Sequence, residues 1–391
     1  MSLNSWLNKK VKEHSHQKID LLILKDLVNK LEIKPPKKII SITGTNGKGS
    51  TANLINTILK KNSYLTGLYT SPHLIDYNER IKINEKNILN EQLKKYFSKI
   101  EKKLARENLN FYQLFSLTAF KYFSDNELDV WILEAGLGGR LDPINCFDAD
   151  LSIITNISLD HQEILGNDLN SIGNEKAGIL RKNQSLIFGD EEIPDSIKQK
   201  IDDLNVKLHK VDNDIVKYNF AVHESSVRIA KKAIEVIDPK ISTENINSSA
   251  ESIRILGRCD LIKEKFLIDV AHNEKSVDNL KKFIEEKKLN KKDISIIFHC
   301  SESKDPIKLI GPLKTFISNL NVPKINNFRL HDERYLKEKI ENEMNLKTKI
   351  YDSLESSIKD IRIMNPNCLI LIFGSFYLAG EFYKLPLSKN V

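Results

Sequence analysis

Short apolar runs rich in isoleucine and valine alternate along the chain with longer amphipathic stretches. A short apolar run bounded by turn residues predicts a buried strand, whereas a 3.6-residue apolar period predicts a helix. The pattern predicts strands at Lys38–Thr43, Thr66–Tyr69, Val130–Ala135, Leu151–Ile154 and Ser185–Phe188, with helices over Gly49–Lys61, Glu91–Glu107 and Leu114–Phe123. A helical stretch, Ser226–Ile237, and a polar segment, Asp238–Glu251, then interrupt the alternation. It restarts with strands at Phe266–Val270, Ile294–His299, Lys324–Phe328 and Cys368–Phe373, separated by helices near Lys275–Glu286, Ile307–Leu320, Asp332–Glu343 and Ser353–Ile363. Strands separated by helices predict right-handed crossovers and mainly parallel sheets, with ligands at the carboxyl ends of the strands. The expected fold class is α/β in two domains, residues 1–254 with a phosphate-loop-type, mainly parallel sheet and 255–391 with a Rossmann-like arrangement.

Composition narrows the function classes. The 391 residues are 40% hydrophobic and 29% charged, which suits a globular protein with real cores. The net charge of +7 is small for this length and its lysines are scattered, so no nucleic-acid partner is expected. No apolar run approaches the roughly 18 residues of a membrane span, and the N-terminus has no apolar signal region. Cys146, Cys259, Cys300 and Cys368 lie far apart and fit neither a zinc pattern nor a disulfide framework, so a cytoplasmic setting is expected.

The most informative stretch is Lys38–Thr43 running into Gly44-Thr-Asn-Gly-Lys-Gly-Ser50. Glycines let backbone N–H groups approach phosphate oxygens, and the helix that follows adds partial positive charge. Lys48 would reach the β- and γ-phosphates, and Ser50 would ligate Mg²⁺. The hydroxyl falls one place later than in the strict phosphate-loop form, because Gly49 follows the lysine. Other segments read less specifically on their own. Val130–Asp142 is a strand ending in Glu134 and a glycine turn, either a metal-facing carboxylate or a structural glycine loop. Asp160-His161 after a strand is by itself most simply structural, and Lys176 by spacing alone reads as a solvated lysine.

Gly44–Ser50, with its Gly-Ser ending, resembles the ATP loop of the folylpolyglutamate synthase and dihydrofolate synthase family, a branch of the Mur-ligase-like amide synthetases. Glu134-Ala-Gly-Leu-Gly-Gly-Arg-Leu-Asp142, Leu159-Asp-His161, Glu175-Lys-Ala-Gly-Ile179, Thr70–Leu74 with Glu79-Arg-Ile81, Gly257-Arg258 and Asp269-Val-Ala-His-Asn273 resemble further family motifs in order. The resemblance implies ATP and two Mg²⁺ ions, with Asn46, Gly47, Lys48, Gly49, Ser50, Arg258 and Asp269 at the nucleotide and Ser50, Glu134, His161 and Lys176 at metal. It implies that Lys176 is N-carboxylated and that Lys48, Lys176 and His272 serve catalysis. Substrate contacts are implied for Ser71, Phe111, Gln113, Leu141, Asp142, Asp160, His272 and Ser375, while Phe115 and Phe120 read as core.

The implied reaction activates a carboxylate of dihydropteroate or a reduced folate as an acyl phosphate, which L-glutamate then captures, in a monomeric enzyme. Leu165-Gly-Asn-Asp168 and Ile172-Gly173 resemble the bifunctional bacterial enzymes. Val227 departs from the family pattern, standing where an asparagine near the adenine is usual. The alternatives are a Mur-type peptidoglycan ligase and a phosphate-loop regulatory NTPase.

Overall fold

The computed structural model describes residues 2–14, 20–211, 222–289 and 293–389. The chain divides into two compact units, the first reaching Ile253 and the second starting at Arg254, with the short stretch 222–223 grouped with the second.

The first unit is built on an eight-stranded sheet in the order β4-β3-β2-β5-β1-β6-β7-β8. Its strands are β1 (Lys38–Thr43), β2 (Thr66–Tyr69), β3 (Ile81–Ile83), β4 (Lys86–Asn87), β5 (Val130–Glu134), β6 (Leu151–Ile154), β7 (Ser185–Phe188) and β8 (Lys207–Lys210). The run from β2 to β8 is parallel, and β3 and β4 add an antiparallel edge. The central strands are buried along their length, as a sheet covered by helices on both faces requires. The chain runs from β1 through β2 and β3 to β4 on one side and from β5 through β6 and β7 to β8 on the other, so the topological switch lies beside the carboxyl end of β1. Helix Phe111–Ser124 buries Phe120 and Phe123 against Trp131 of β5, and Phe115 against Phe97 and Tyr77.

The second unit has a six-stranded sheet in the order β13-β12-β11-β14-β10-β9, formed by β9 (Asp260–Ile262), β10 (Phe266–Ile268), β11 (Ile294–Phe298), β12 (Ile317–Pro323), β13 (Thr348–Tyr351) and β14 (Leu369–Phe373). All neighbours are parallel except β9. Two features correct the sequence reading. The stretch expected to be helical to Leu320 becomes strand from Ile317, and the expected strand Lys324–Phe328 is a connection beyond it. The polar segment Asp238–Glu251 contains a helix, Thr243–Ser252, capped by the Ser242 hydroxyl. No helix among the described residues is long and apolar enough to cross a membrane.

Candidate active site

The phosphate loop grows directly from the end of β1. Gly44 has φ +143°, and a Cβ there would fall 1.9 Å from the Thr155 hydroxyl oxygen, so only glycine lets the loop pass the end of β6 this closely. Gly47 (φ +81°) turns the chain into helix Lys48–Lys61 and brings no side chain to cap the first N–H groups, which remain available to an anion. The segment after β6 braces the loop from beside it. Asn156 Oδ1 accepts the N–H groups of Thr45 (3.2 Å) and Asn46 (2.9 Å), and the Thr155 hydroxyl donates to the Asn46 carbonyl (2.6 Å). The Ser158 N–H donates to the Thr45 hydroxyl (3.0 Å). Sequence reasoning gave Thr155 and Asn156 no role; the available signal was a pair of polar side chains directly after an apolar strand.

Two ammonium groups converge on the loop. Lys48 Nζ donates to the carbonyls of Gly44 (2.9 Å) and Thr45 (3.1 Å), and Lys176 Nζ donates to the same Gly44 carbonyl (2.8 Å). Lys176 is 3% exposed, which corrects the spacing-based reading of a solvated lysine. Burial, reinforced by the Lys48 charge and opposed by Asp160, lowers its pKa to about 7. An amine with that value is substantially unprotonated at neutral pH, the form that carboxylation requires.

Glu134, at the carboxyl end of β5, is 3% exposed, and a Cβ on Gly49 would lie 3.5 Å from its Oε2. That carboxylate also accepts the Ser71 N–H (3.0 Å). Ser50, next to Gly49, is buried at the start of the helix. Asp160 is buried and accepts its neighbour's N–H, while the His161 ring is exposed and lies 3.7 Å from Glu163. No group of three His, Cys, Asp or Glu side chains able to hold a metal exists among the described residues. A metal here would therefore draw on the Ser50 hydroxyl, Glu134 and phosphate oxygens. Those hard oxygen donors, beside a helix N-terminus, fit Mg²⁺ with a nucleoside triphosphate.

The expected substrate residues of the first unit divide into two groups. Ser71 touches Glu134, and Leu141 is exposed. Gln113 and Asp142 are buried and make structural hydrogen bonds. Gln113 shares a capping box with Asn110. Asp142 accepts the N–H groups of Gly136 (2.9 Å) and Ile144 (3.1 Å), fixing the glycine turn that follows Glu134. Phe111 packs edge-on against Tyr77 (5.7 Å). Val227 is buried on helix Glu224–Ile237.

In the second unit, Arg258, His272 and Ser375 gather around Phe376. The Arg258 guanidinium lies over that ring (5.0 Å), the His272 ring is 5.8 Å from it, and Ser375 caps its helix at the end of β14. His272 Nδ1 donates to the Val270 carbonyl oxygen (2.8 Å), which fixes the orientation of the ring. Asp269 accepts the N–H groups of Cys259 and Ala271 (2.7 Å each). Burial raises its pKa, opposed by Arg258.

Comparison with known proteins decides the assignment. Residues 42–261 match the Mur ligase middle domain. A dihydrofolate synthase/folylpolyglutamate synthase of Buchnera aphidicola subsp. Schizaphis graminum is 30% identical over 98% of this chain and 97% of its own. This chain belongs to the dihydrofolate synthase/folylpolyglutamate synthase family. Its counterpart from B. aphidicola subsp. Acyrthosiphon pisum is 33% identical over 98% of both chains. The structure of E. coli FolC in complex with DHPP and ADP superposes with a TM-score of 0.91 at 26% identity, over all of this chain and 99% of that one. Membership makes this protein an ATP-dependent ligase, in line with its phosphate loop.

Proposed function

We propose that this family member joins L-glutamate to the carboxylate of dihydropteroate and to that of a reduced folate, acting in the cytoplasm. The observation that carries the reading is the convergence of Lys48 and Lys176 on the Gly44 carbonyl, with Glu134 beside Gly49. A carboxylate oxygen attacks the γ-phosphorus of ATP and ADP leaves; the glutamate amine then attacks the acyl carbon, loses a proton, and phosphate departs. Mutual repulsion of carboxylate and triphosphate opposes the first step, so fixed positive charge is needed where negative charge gathers.

Lys48 supplies that charge once its ammonium exchanges the loop carbonyls for phosphate oxygens. The helix N-terminus after Gly47 supplies more. Mg²⁺, held by Ser50 and Glu134, would neutralise phosphate oxygens and orient the nucleotide. Lys176, carboxylated, would present oxygen rather than ammonium, which suits a second hard cation and removes a buried positive charge. In the second unit, Arg258 would be a fixed cation for phosphate, and His272 with the Ser375 helix start would supply polar contacts for glutamate. The names of the relatives, with DHPP and ADP in the E. coli complex, support these substrates.

The test is ADP release measured with dihydropteroate, tetrahydrofolate and a UDP-sugar peptide side by side, each with and without glutamate. Glutamate-dependent turnover of both pterins is expected. Nucleotide hydrolysis indifferent to pterin and glutamate would discard the reading.

A further inference from the structure

Between β2 and β3 the chain leaves the sheet at Thr70 and returns at Ile81, and Glu79 gathers the loop between them. Its Oε2 accepts the Leu74 N–H (2.8 Å), and its Oε1 accepts the N–H groups of Ile75 (2.9 Å) and Asp76 (2.7 Å). Three consecutive amides thus close on one carboxylate, in charge-assisted bonds stronger than neutral ones. The N-terminal helix Leu3–Glu13 grips the same turn from outside. Asn4 Nδ2 donates to the Ile75 carbonyl (3.1 Å), and the Tyr77 hydroxyl donates to Asn8 Oδ1 (2.8 Å). Arg80 Nε donates to His73 Nδ1 (2.9 Å), with its guanidinium over the Phe115 ring (5.6 Å). The ends of the loop are tied by the Thr70 N–H to the Arg80 carbonyl (3.0 Å). The upstream side of this fixed turn carries Ser71, whose N–H reaches Glu134 Oε2 (3.0 Å).

We propose that Glu79 is a positioning residue for the ligase reaction: by collecting the amides of residues 74–76 it sets the Ser71 N–H, and through it the Glu134 carboxylate, in the orientation that receives Mg²⁺ at the phosphate loop. The inference rests on the reading of Glu134 as a metal ligand. A hydrogen bond to one carboxylate oxygen turns the other toward the metal, and partners of this kind change metal affinity about 10–100-fold when removed.

The test uses the full chain with ADP present and follows Mn²⁺ binding by the paramagnetic resonance of the free ion, alongside steady-state kinetics and melting temperature. Glu79→Ala is expected to weaken Mn²⁺ binding about 10–100-fold and to lower kcat, with KM for ATP held within about twofold at saturating metal. Glu79→Gln, which keeps one carbonyl oxygen for the amides, is expected to fall between Glu79→Ala and the parent, and it decides the matter if Glu79→Ala does not fold. A lower melting temperature with unchanged Mn²⁺ affinity would mean a merely structural role and overturns the proposal. Glu134→Ala separates the two levels. If it abolishes ADP-dependent Mn²⁺ binding while both Glu79 variants bind like the parent, only the positioning role fails. If Glu134→Ala binds Mn²⁺ normally, the metal reading falls and the positioning role with it.

Discussion

Lys176 in the first unit and His299 in the second are both driven toward neutrality by burial, to about 7 and about 4 respectively. Their surroundings differ. The Lys176 ammonium bonds a loop carbonyl, shares it with Lys48, and feels Asp160. At His299, just past β11, burial dominates, opposed only by the Cys300 backbone and the Asp332 charge. The lysine lies at the crossing point of a phosphate loop and two strand ends, whereas the histidine is enclosed at the end of an apolar strand. A displaced pKa thus records desolvation first. It becomes an argument for chemistry only where independent groups converge on the same atom.

The sharpest way to break this contrast is at Lys48. Lys48→Ala is expected to lower kcat/KM by about 10²–10³ in an ADP-release assay, the scale of losing one preorganised electrostatic contact, with little change in melting temperature. Full activity in that variant would remove the phosphate-loop reading.

Lys176→Met is expected to be inactive, yet more heat-stable than the parent at pH 7 when no ligand is bound. The folded value of about 7 lies below the ordinary 10.5, so the unfolded chain binds more protons between these limits. The penalty is therefore fully present below pH 7 and fades as pH rises toward 10.5. A stability gap on the order of a few kcal/mol at pH 7 should narrow by pH 10, as measured by denaturant unfolding at both pH values.

His299→Leu should act in the opposite functional sense. Activity at pH 7.5 should persist, while the acid limb of stability flattens. A folded value of about 4 against 6.5 means that the parent loses stability as pH falls from about 6.5 to 4, by something on the order of 3 kcal/mol. Urea midpoints at pH 7.5 and 5 would show whether the variant escapes this loss.

The smallest effect is expected at Asn156. Asn156→Ala leaves two loop amides without their shared acceptor and should cost about 1–2 kcal/mol of stability together with a raised KM for ATP. An unchanged KM would mean that the loop holds its shape without the brace.

Legibility in the sequence followed locality. The strand, glycine turn and helix from Lys38 to Lys61 are contiguous, and each step has a local physical cause, so they were read correctly. The strand β12 was not. Its Asn319 and Asn321 break the apolar run, and their partners, Ser295 and the Ile296 carbonyl, belong to a neighbouring strand more than twenty residues away. The edge strand β8 was missed because its residues, Lys207-Leu-His-Lys210, are largely polar. At the site, Glu134 was recognisable as a carboxylate at a strand end, but the structural duties of Gln113 and Asp142 were visible only once their partners were placed.

The chain's own order of residues determined the elements, the glycine-lined anion loop, the cation that serves it and the family to which the protein belongs, because these depend on neighbours within a few positions. Tertiary structure alone decided that Lys176 is buried against Gly44 and that the Ser71 N–H meets Glu134. Charge and hydrogen bonding act through space over a few ångströms, and the groups that set them arrive from positions the sequence keeps far apart.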